Sequence, residues 1–233
     1  MVEADEKSTE SREVEILPGI WLDCRLALVS RDADWLAIAD IHYGYEVHRR
    51  AAGGLFPMWG METIEDRFDA LLESHRPGTV ILAGDIVDGG LADREAIAWL
   101  GSVRERCDRL VLVAGNHDRG PIRRELDFVE TFEPGEDGFF FHHGHRSPAL
   151  PAGAKVEVTG HWHPSVSLAD GAGLRLRLPS LVRETRPGDP VERWVLPAFS
   201  PWAGGDRWRA SEPDARMRQW ACGPVRVFDV DPD

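Results

Sequence analysis

The chain has 233 residues, of which 42% are hydrophobic, and its formal net charge is -13. This length and composition suit one α/β domain with a substantial core and exclude wholesale disorder. The acidic balance argues against a protein that coats nucleic acid through its overall charge, although bound cations can still make a single cleft positive.

The N-terminus and the cysteines indicate the cellular setting. Residues 1–13 are polar and acidic, and we expect a disordered tail there, followed by a single domain at residues 14–233. Cys24, Cys107 and Cys222 are scattered without a CxxC motif, which is typical of a reduced compartment. The sequence shows neither the apolar core of a signal peptide nor a run of membrane-spanning length. We therefore expect a cytoplasmic protein with no membrane partner.

The first apolar runs, EILPGIW, CRLALVS and WLAIAD, predict strands, and the polar segment RDAD at 31–34 predicts a hairpin turn between the last two. Residues 41–60 predict a long loop rich in glycine, histidine and aromatic residues. Long loops inside compact domains are frequently functional. We expect the following side chains of this loop to shape the entrance of a site: Tyr43, Tyr45, Glu46, His48, Arg49 and Arg50.

Alternating helices and strands are predicted next. Apolar residues at helical spacing predict a helix at 61–74 with Thr63 as its cap, and the strand TVILAG follows. A second helix is predicted at 92–106, before the strand RLVLVAG. This βαβαβ order predicts parallel strands joined by right-handed crossovers.

The pattern changes after His117 to short β-like runs separated by Gly, Pro and Asp, with no long helix between them. A second, largely β layer is therefore predicted, with an edge strand near the C-terminus in VRVFDVDPD. The fold class expected from the whole pattern is α/β, with two mixed sheets packed face to face and helices outside, as a four-layer αββα sandwich.

Metal-competent residues follow five of the β-like runs. They are Asp40 and His42, Asp85, Asn116 and His117, His143, and His161 and His163. Open α/β sheets bind ligands at the carboxyl ends of their strands, and carboxylate, imidazole and amide groups suit Mn²⁺, Fe²⁺ or Zn²⁺. Two residues that are two apart on an extended segment point to one side, so Asp40 and His42 can share one ion, and His161 and His163 have the same spacing. Asp85 has two oxygens and is expected to bridge two ions.

The motifs DxH, GDxxD, GNHD, HG and GHxH, in this order, resemble those of the calcineurin-like metallophosphoesterase family. The resemblance implies a first metal held by Asp40, His42, Asp85 and His163, and a second held by Asp85, Asn116, His143 and His161. It also implies His117 as the general acid and Asp88 as the carboxylate that orients it. His142 and His145 are the alternatives to His143. We expect Asp118 to hydrogen-bond the loop backbone.

Three further segments resemble the small bacterial and archaeal branch that is related to nuclease-repair subunits and includes the DNA ligase-associated phosphoesterases. They are DIHYGYEVHRRAAGGLFP at 40–57, LRLPSLV, and VLPAFSPWAGG. The branch implies a phosphoester substrate, with a nucleotide or nucleic acid as candidates, and DNA-repair proteins as candidate partners. Base-stacking candidates, each of which is more often a packing residue, are Trp21, Trp59, Trp162, Trp202 and Trp208.

The predicted function is dinuclear metal-dependent hydrolysis of a phosphodiester, with a nuclease among the candidate activities. Mn²⁺ is the expected metal, and Fe²⁺, Zn²⁺ and Ni²⁺ are the alternatives. A phosphomonoesterase or nucleotide phosphatase is the alternative within enzymes, and a non-catalytic scaffold with this fold is the alternative outside them. The oligomeric state is left open.

Overall fold

The computed structural model describes residues 11–169 and 171–230, and most of the expected acidic tail therefore lies outside the described residues. An antiparallel meander starts the first sheet. Its strands are β1 (Glu13–Leu17), β2 (Ile20–Asp23), β3 (Ala27–Ser30) and β4 (Trp35–Ile38). The predicted turn at 31–34 joins β3 to β4, which pair antiparallel as expected.

Parallel strands extend this sheet. They are β5 (Thr79–Ala83), β6 (Arg109–Val113) and β7 (Phe128–Val129), and the sheet order is β1-β2-β3-β4-β5-β6-β7. The crossovers between β4, β5 and β6 contain two long helices, α2 (Gly60–His75) and α3 (Asp93–Arg104), which confirms the predicted alternation. Because β4, β5 and β6 are parallel, the loops after all three strands meet at one edge of the sheet.

Within residues 11–169 and 171–230, the second sheet has nine strands. They are β8 (Thr131–Phe132), β9 (Phe139–His142), β10 (Val156–Thr159), β11 (Pro164–Ala169), β12 (Arg175–Thr185), β13 (Glu192–Val195), β14 (Asp206–Arg207), β15 (Arg216–Cys222) and β16 (Val227–Val230). The path β14-β11-β12-β13-β10-β9-β8 carries a branch in which β15 pairs with β12 and β16. β16 therefore forms the predicted edge strand, and β15 is an additional strand that the sequence pattern did not predict.

Aromatic side chains join the two sheets. Trp35 of β4 contacts Phe139 and Phe141 of β9, each with ring centroids 5.3 Å apart, and Phe139 contacts Trp194 of β13 at 5.8 Å. Trp35, Phe141 and Trp194 are fully buried, and burial of each such side chain is worth roughly 2–3 kcal/mol. Two mixed sheets with this shared core, flanked by helices, confirm the predicted α/β sandwich.

The segment at 41–60 is not a continuous loop, because it contains helix α1 (Tyr45–Ala51). Glu46 of this helix is fully buried, where its Oε1 accepts a hydrogen bond from the Met61 N–H (2.9 Å) and its Oε2 accepts one from Trp202 Nε1 (3.0 Å). The first contact satisfies a backbone donor in the first turn of α2. Thr63, the predicted cap, lies inside α2, so Glu46 rather than Thr63 supplies this hydrogen bond.

A buried contact between Asp23 of β2 and His75 of α2 joins these two elements. Asp23 is fully buried, accepts hydrogen bonds from Arg25 and lies 2.9 Å from Nε2 of His75. Burial by itself raises the pKa of Asp23, but the hydrogen bonds from Arg25 and His75 outweigh it and lower the pKa from 3.8 to about 2. Because the folded protein holds the carboxylate, this contribution is present above the unfolded pKa and is lost as the pH falls through the folded pKa.

We expect Asp23→Asn to lower the free energy of unfolding at pH 7, and the pH-dependent part of this loss is about 2 kcal/mol. The measurement is urea unfolding of the parent protein and of Asp23→Asn between pH 7 and pH 2. The difference between their free energies of unfolding should decrease below about pH 4. Asp69→Asn is the control, since Asp69 forms a half-exposed pair with Arg106. If the difference in free energy of unfolding between Asp23→Asn and the parent protein stayed constant with pH, the lowered pKa of Asp23 would be contradicted.

Candidate metal centre

The loop after β4 meets a loop of the second sheet at Asp40. Ala39 bridges to Ala198, and the fully buried Asp40 follows directly. Both carboxylate oxygens of Asp40 accept the backbone N–H of His161 at 2.9 Å, and its Oδ1 lies 3.4 Å from Nε2 of His163. Two sequence motifs that are 121 residues apart are thus brought into contact.

The first group of converging ligand atoms comes from Asp40, His42 and His163, which offer atoms within 4.8 Å of one another. The two Nε2 atoms of His42 and His163 face each other at 3.4 Å. His42 Nε2 also lies 3.9 Å from Oδ2 of Asp85. Two imidazole nitrogens and a carboxylate that point at one volume form an arrangement that a divalent cation can join.

The second group contains Asp85, His143 and His161, again with ligand atoms within 4.8 Å of one another. His143 Nε2 lies 3.2 Å from Oδ2 of Asp85 and 3.2 Å from Oδ1 of Asn116. His143 Nδ1 lies 3.1 Å from the Ala83 carbonyl, which can only accept, so Nδ1 carries the proton. Nε2 of His143 is therefore the nitrogen directed at Asp85 and Asn116.

Asp85 is buried at the point where the two groups meet. Burial raises the pKa of Asp85, but contacts with His143 outweigh it, and the pKa falls to about 2. The backbone N–H of His117 donates to Oδ1 of Asp85 at 2.8 Å, which leaves Oδ2 to face His143 and His42. One side chain thus contacts both groups.

His117 and Asp88 form a pair beside these groups. His117 Nδ1 lies 2.9 Å from Oδ1 of Asp88, which is also 3.4 Å from Nδ1 of His42. The hydrogen bond with Asp88 raises the pKa of His117, and the pKa of Asp88 is lowered despite its burial. With Nδ1 engaged by Asp88, Nε2 of His117 is the ring nitrogen available to another molecule. His117 also belongs to a third converging group, with His42 and Asp85.

Five of these residues have positive φ angles. They are Asp40 (55°), His42 (48°), Asp85 (48°), His161 (71°) and His163 (46°). The predicted extended geometry of the DxH and HxH pairs is therefore wrong, since each of these residues is in the left-handed region. Such a conformation is costly outside glycine and recurs at functional sites. The loops converge because the backbone turns sharply at each of these residues.

Two glycines of the motifs allow close approach between loops. A Cβ on Gly84, where φ is +91°, would lie 2.3 Å from Nδ1 of His143. A Cβ on Gly115 would lie 2.1 Å from the backbone nitrogen of Asp85. The glycines before Asp85 and Asn116 are thus required by packing between neighbouring loops, and not only by the local turns.

Asp118 hydrogen-bonds the loop backbone, as predicted. Its carboxylate accepts N–H groups from Ile86 (2.8 Å), Val87 (3.0 Å) and Gly115 (2.7 Å). Burial raises the pKa of Asp118 to about 6, against the effect of these three donors. The contacts tie the loop after β6 to the loop after β5.

The three histidines at the end of β9 and directly after it differ in their contacts. His142, the last residue of β9, has Nε2 2.9 Å from Glu157. The ring of His145 lies 5.3 Å from that of His143. Among the three, His143 is the one in contact with Asp85 and Asn116.

The entrance differs in part from the prediction. Tyr43 is buried and stacks on Trp99, and Glu46 is a structural residue of α1, so neither shapes an opening. A cavity of about 340 Å³ beside His117 is lined by residues that include Tyr45, His48, Arg49 and Arg119. The sequence interpretation missed Arg119, whose Nε donates to the Asn116 carbonyl at 2.7 Å. Its place directly after GNHD was the available signal.

The tryptophans divide into anchored and exposed side chains. Trp202 and Trp208 donate through Nε1 to Glu46 and Glu184, respectively. Trp162, between His161 and His163, is 53% exposed, and Trp59 is 42% exposed. These two retain a face that a base can reach, although no contact in the described residues requires one.

The residues at this edge fit divalent cations. Asp40, Asp85 and Asp88 are 0%, 2% and 7% exposed, and they lie together among imidazoles whose nitrogens face one another. Several buried carboxylates are costly without a compensating positive charge. Oxygen and imidazole ligands without thiolates suit hard and borderline divalent ions.

Two packed mixed sheets, with carboxylate, imidazole and amide groups in the loops at one edge, are the features of a metal-dependent phosphoester hydrolase. The model of the calcineurin-like phosphoesterase family matches residues 35–214, and the chain belongs to this family. Members use divalent metals and act on phosphoester bonds. None of the helices within residues 11–169 and 171–230 is long and apolar enough to cross a membrane.

Two solved structures are similar to this chain. The nuclease MPE of Pseudomonas putida is 27% identical, with a TM-score of 0.64, and the match covers 93% of this chain and 98% of the nuclease chain. YfcE, a phosphoesterase from E. coli, is 17% identical, with a TM-score of 0.49 and coverage of 84% and 97%. No curated protein matches this chain.

Proposed function

We propose that this protein is a dinuclear metal-dependent phosphodiesterase, formed by a single domain over residues 14–233. One observation carries the proposal, namely that two groups of ligand atoms meet at Asp85. A carboxylate between two sites is what two-metal phosphoester hydrolysis uses to hold its ions about 4 Å apart.

The ligand sets follow from these contacts and from the family. The first set is Asp40, His42, Asp85 and His163, and the second set is Asp85, Asn116, His143 and His161. Mn²⁺ is the preferred ion because the donors are oxygen and imidazole nitrogen, with Fe²⁺, Zn²⁺ or Ni²⁺ as the alternatives. When bound, two such ions would lower the pKa of a shared water and neutralise the phosphoryl oxygens.

The protein's own groups orient the substrate and move the proton. Nδ1 of His117 is engaged by Asp88 at 2.9 Å, and this contact raises the pKa of His117, which favours the imidazolium form that carries a second proton on Nε2. It donates this proton to the leaving oxygen as the ester bond breaks. Asn116, at 3.2 Å from His143, places its amide beside the phosphoryl group.

A phosphodiester of a nucleotide or nucleic acid is the proposed substrate. The similar nuclease from Pseudomonas putida, which the chain covers almost completely, supports it. The arginines of the cavity beside His117 also support it, because they place positive charge near the site of a chain whose net charge is -13. DNA-repair partner proteins and a cytoplasmic location stay predictions.

The test compares two aryl esters with Mn²⁺-loaded protein. We expect bis(p-nitrophenyl) phosphate to be hydrolysed faster than p-nitrophenyl phosphate, since the similar structure from Pseudomonas putida is that of a nuclease, an enzyme that cleaves phosphodiesters. The rate of p-nitrophenol release at equal substrate concentration is the measurement. The reverse order would favour a phosphomonoesterase, and metal binding without hydrolysis of either ester would favour a scaffold.

A further inference from the structure

A second cavity lies on the other side of Asn116 and Arg119 from His117. It has a volume of about 310 Å³. The lining residues that matter for its charge and position are Asn116, Arg119, Arg123, Glu130, His145 and Arg146. Asn116 and Arg119 also line the cavity beside His117, so the two cavities flank one short segment of the loop after β6.

This second cavity begins at the candidate metal centre. Asn116, on one wall, lies 3.2 Å from His143 through its Oδ1. His145, on the other wall, has its ring 5.3 Å from that of His143 and 6.3 Å from that of His161. The cavity thus shares Asn116 with the candidate metal centre and lies next to His143 through His145.

The arginines of the cavity are only partly engaged by the protein. Arg123 stacks over Phe128 at 5.0 Å, and its NH2 atom lies 3.3 Å from Glu130. Its NH1 atom is buried without a hydrogen-bond partner among the described residues, so the exposed third of the side chain is the part that a ligand can reach. Arg146 is 74% exposed and contacts the same Glu130 at 3.5 Å. One carboxylate thus contacts both guanidinium groups, and positive charge remains for a ligand.

Arg119 is positioned differently. Its Nε donates to the Asn116 carbonyl at 2.7 Å, which fixes the guanidinium beside the loop that carries Asn116. Its two terminal nitrogens make no hydrogen bond or ion pair in residues 11–169 and 171–230. A planar guanidinium held in this way can bind a phosphate through two parallel hydrogen bonds.

We propose that the second cavity, through Arg123 and Arg146, binds the phosphate adjacent to the scissile phosphate. This adjacent phosphate belongs to the part of the substrate that is retained after the leaving group departs. This inference rests on the proposed function, because His117 as the acid places the leaving group in the cavity beside it. The opposite cavity then receives the other esterified group. The substrate class is a nucleotide diester that carries a second phosphate on that group.

The test uses three small substrates with the Mn²⁺-loaded protein, namely the thymidine dinucleotide TpT, its 5′-phosphorylated form pTpT and its 3′-phosphorylated form TpTp. We expect kcat/KM for one of the two phosphorylated forms to exceed that for TpT by about tenfold, as an added charge-assisted contact provides. The preferred form also identifies the leaving oxygen, because in this proposal the added phosphate lies on the nucleoside that stays bonded to the scissile phosphorus.

Variants assign the preference to the cavity. We expect Arg146→Gln to reduce the preference about threefold and Arg123→Gln with Arg146→Gln to remove it, while Arg146→Lys keeps most of it. Hydrolysis of bis(p-nitrophenyl) phosphate is measured beside each variant, and its rate relative to TpT should keep the parent ratio, because neither of these two esters carries a second phosphate. Arg218→Gln is the matched control, since Arg218 is an exposed arginine paired with Asp229 on β15 and β16.

The outcomes separate this inference from the proposed function. Equal kcat/KM for TpT, pTpT and TpTp, with the aryl diester hydrolysed normally, would overturn the second phosphate site alone. A preference that survives in the double variant would also overturn it. Failure of the parent protein to hydrolyse any diester would instead overturn the proposed function.

Discussion

Asp85→Asn is expected to abolish hydrolysis of bis(p-nitrophenyl) phosphate and to remove at least one of the two metal ions. Asp85 contacts both groups of candidate ligands, with Oδ2 at 3.2 Å from His143 and 3.9 Å from His42. An amide keeps the shape but loses the charge that a bridging ligand supplies. A metal's contribution of several kcal/mol to the transition state corresponds to a loss of roughly 1000-fold or more in kcat/KM.

Metal analysis by mass spectrometry after gel filtration, together with the aryl diester rate, measures this effect. Asp229→Asn is the control for the substitution itself, because Asp229 is an exposed aspartate paired with Arg218 far from the centre. Thermal unfolding of Asp85→Asn with and without Mn²⁺ distinguishes a folded apo protein from an unfolded one. A variant with full metal content and near-normal rate would contradict the bridging role of Asp85.

His117→Ala is expected to bind metals normally and to lose turnover in proportion to the basicity of the leaving group. His117 is 45% exposed in its side chain, and its Nδ1 is engaged by Asp88, so removal should leave the buried groups intact. For an alkyl leaving group such as a nucleoside, we expect a loss of about 100- to 10,000-fold, which is the usual range for general acid catalysis. For p-nitrophenol the loss should be small, because this group departs without a proton.

A series of phosphodiesters with leaving groups of increasing pKa measures the effect as a steeper slope of log kcat. Asp88→Asn should shift the slope in the same direction by a smaller amount, since it alters the orientation and charge of the imidazole without removing it. Loss of metal from His117→Ala would show that the third group, His42, Asp85 and His117, binds an ion. Equal loss on every ester would show that His117 does not act as the acid.

Much of the fold could be predicted from local patterns. Strands β4, β5 and β6 are apolar apart from Thr79 and Arg109, which begin β5 and β6. Helices α2 and α3 show apolar residues at helical spacing, so both signals are contained in short windows. Helix α1 could not be predicted in this way. It depends on Glu46, which hydrogen-bonds Met61 and Trp202, and the second partner is 156 residues away.

The candidate site shows the same division. The order of motifs identified which residues to examine, because polar residues repeatedly follow apolar runs. The extended backbone predicted for the DxH and HxH pairs is wrong, since Asp40, His42, His161 and His163 are in left-handed conformations. Nothing in a dipeptide pattern reports a φ angle that is imposed by contacts between loops. Arg146 was missed for a similar reason, because it reaches the cavity that Arg119 and Arg123 line only when the segment after β9 packs near the loop after β6.

The fold class, the family resemblance and the set of residues at strand ends can all be predicted from the amino-acid sequence. The alternation of helices and strands and the apolar runs are local properties, and the order of the motifs is read directly from the linear sequence. Only the tertiary structure decided which oxygens and nitrogens face one another, that Asp85 lies between two groups, and that arginines flank Asn116 on both sides. These contacts depend on loops from two different sheets meeting at distances of 3–4 Å, and packing of the shared core sets that meeting.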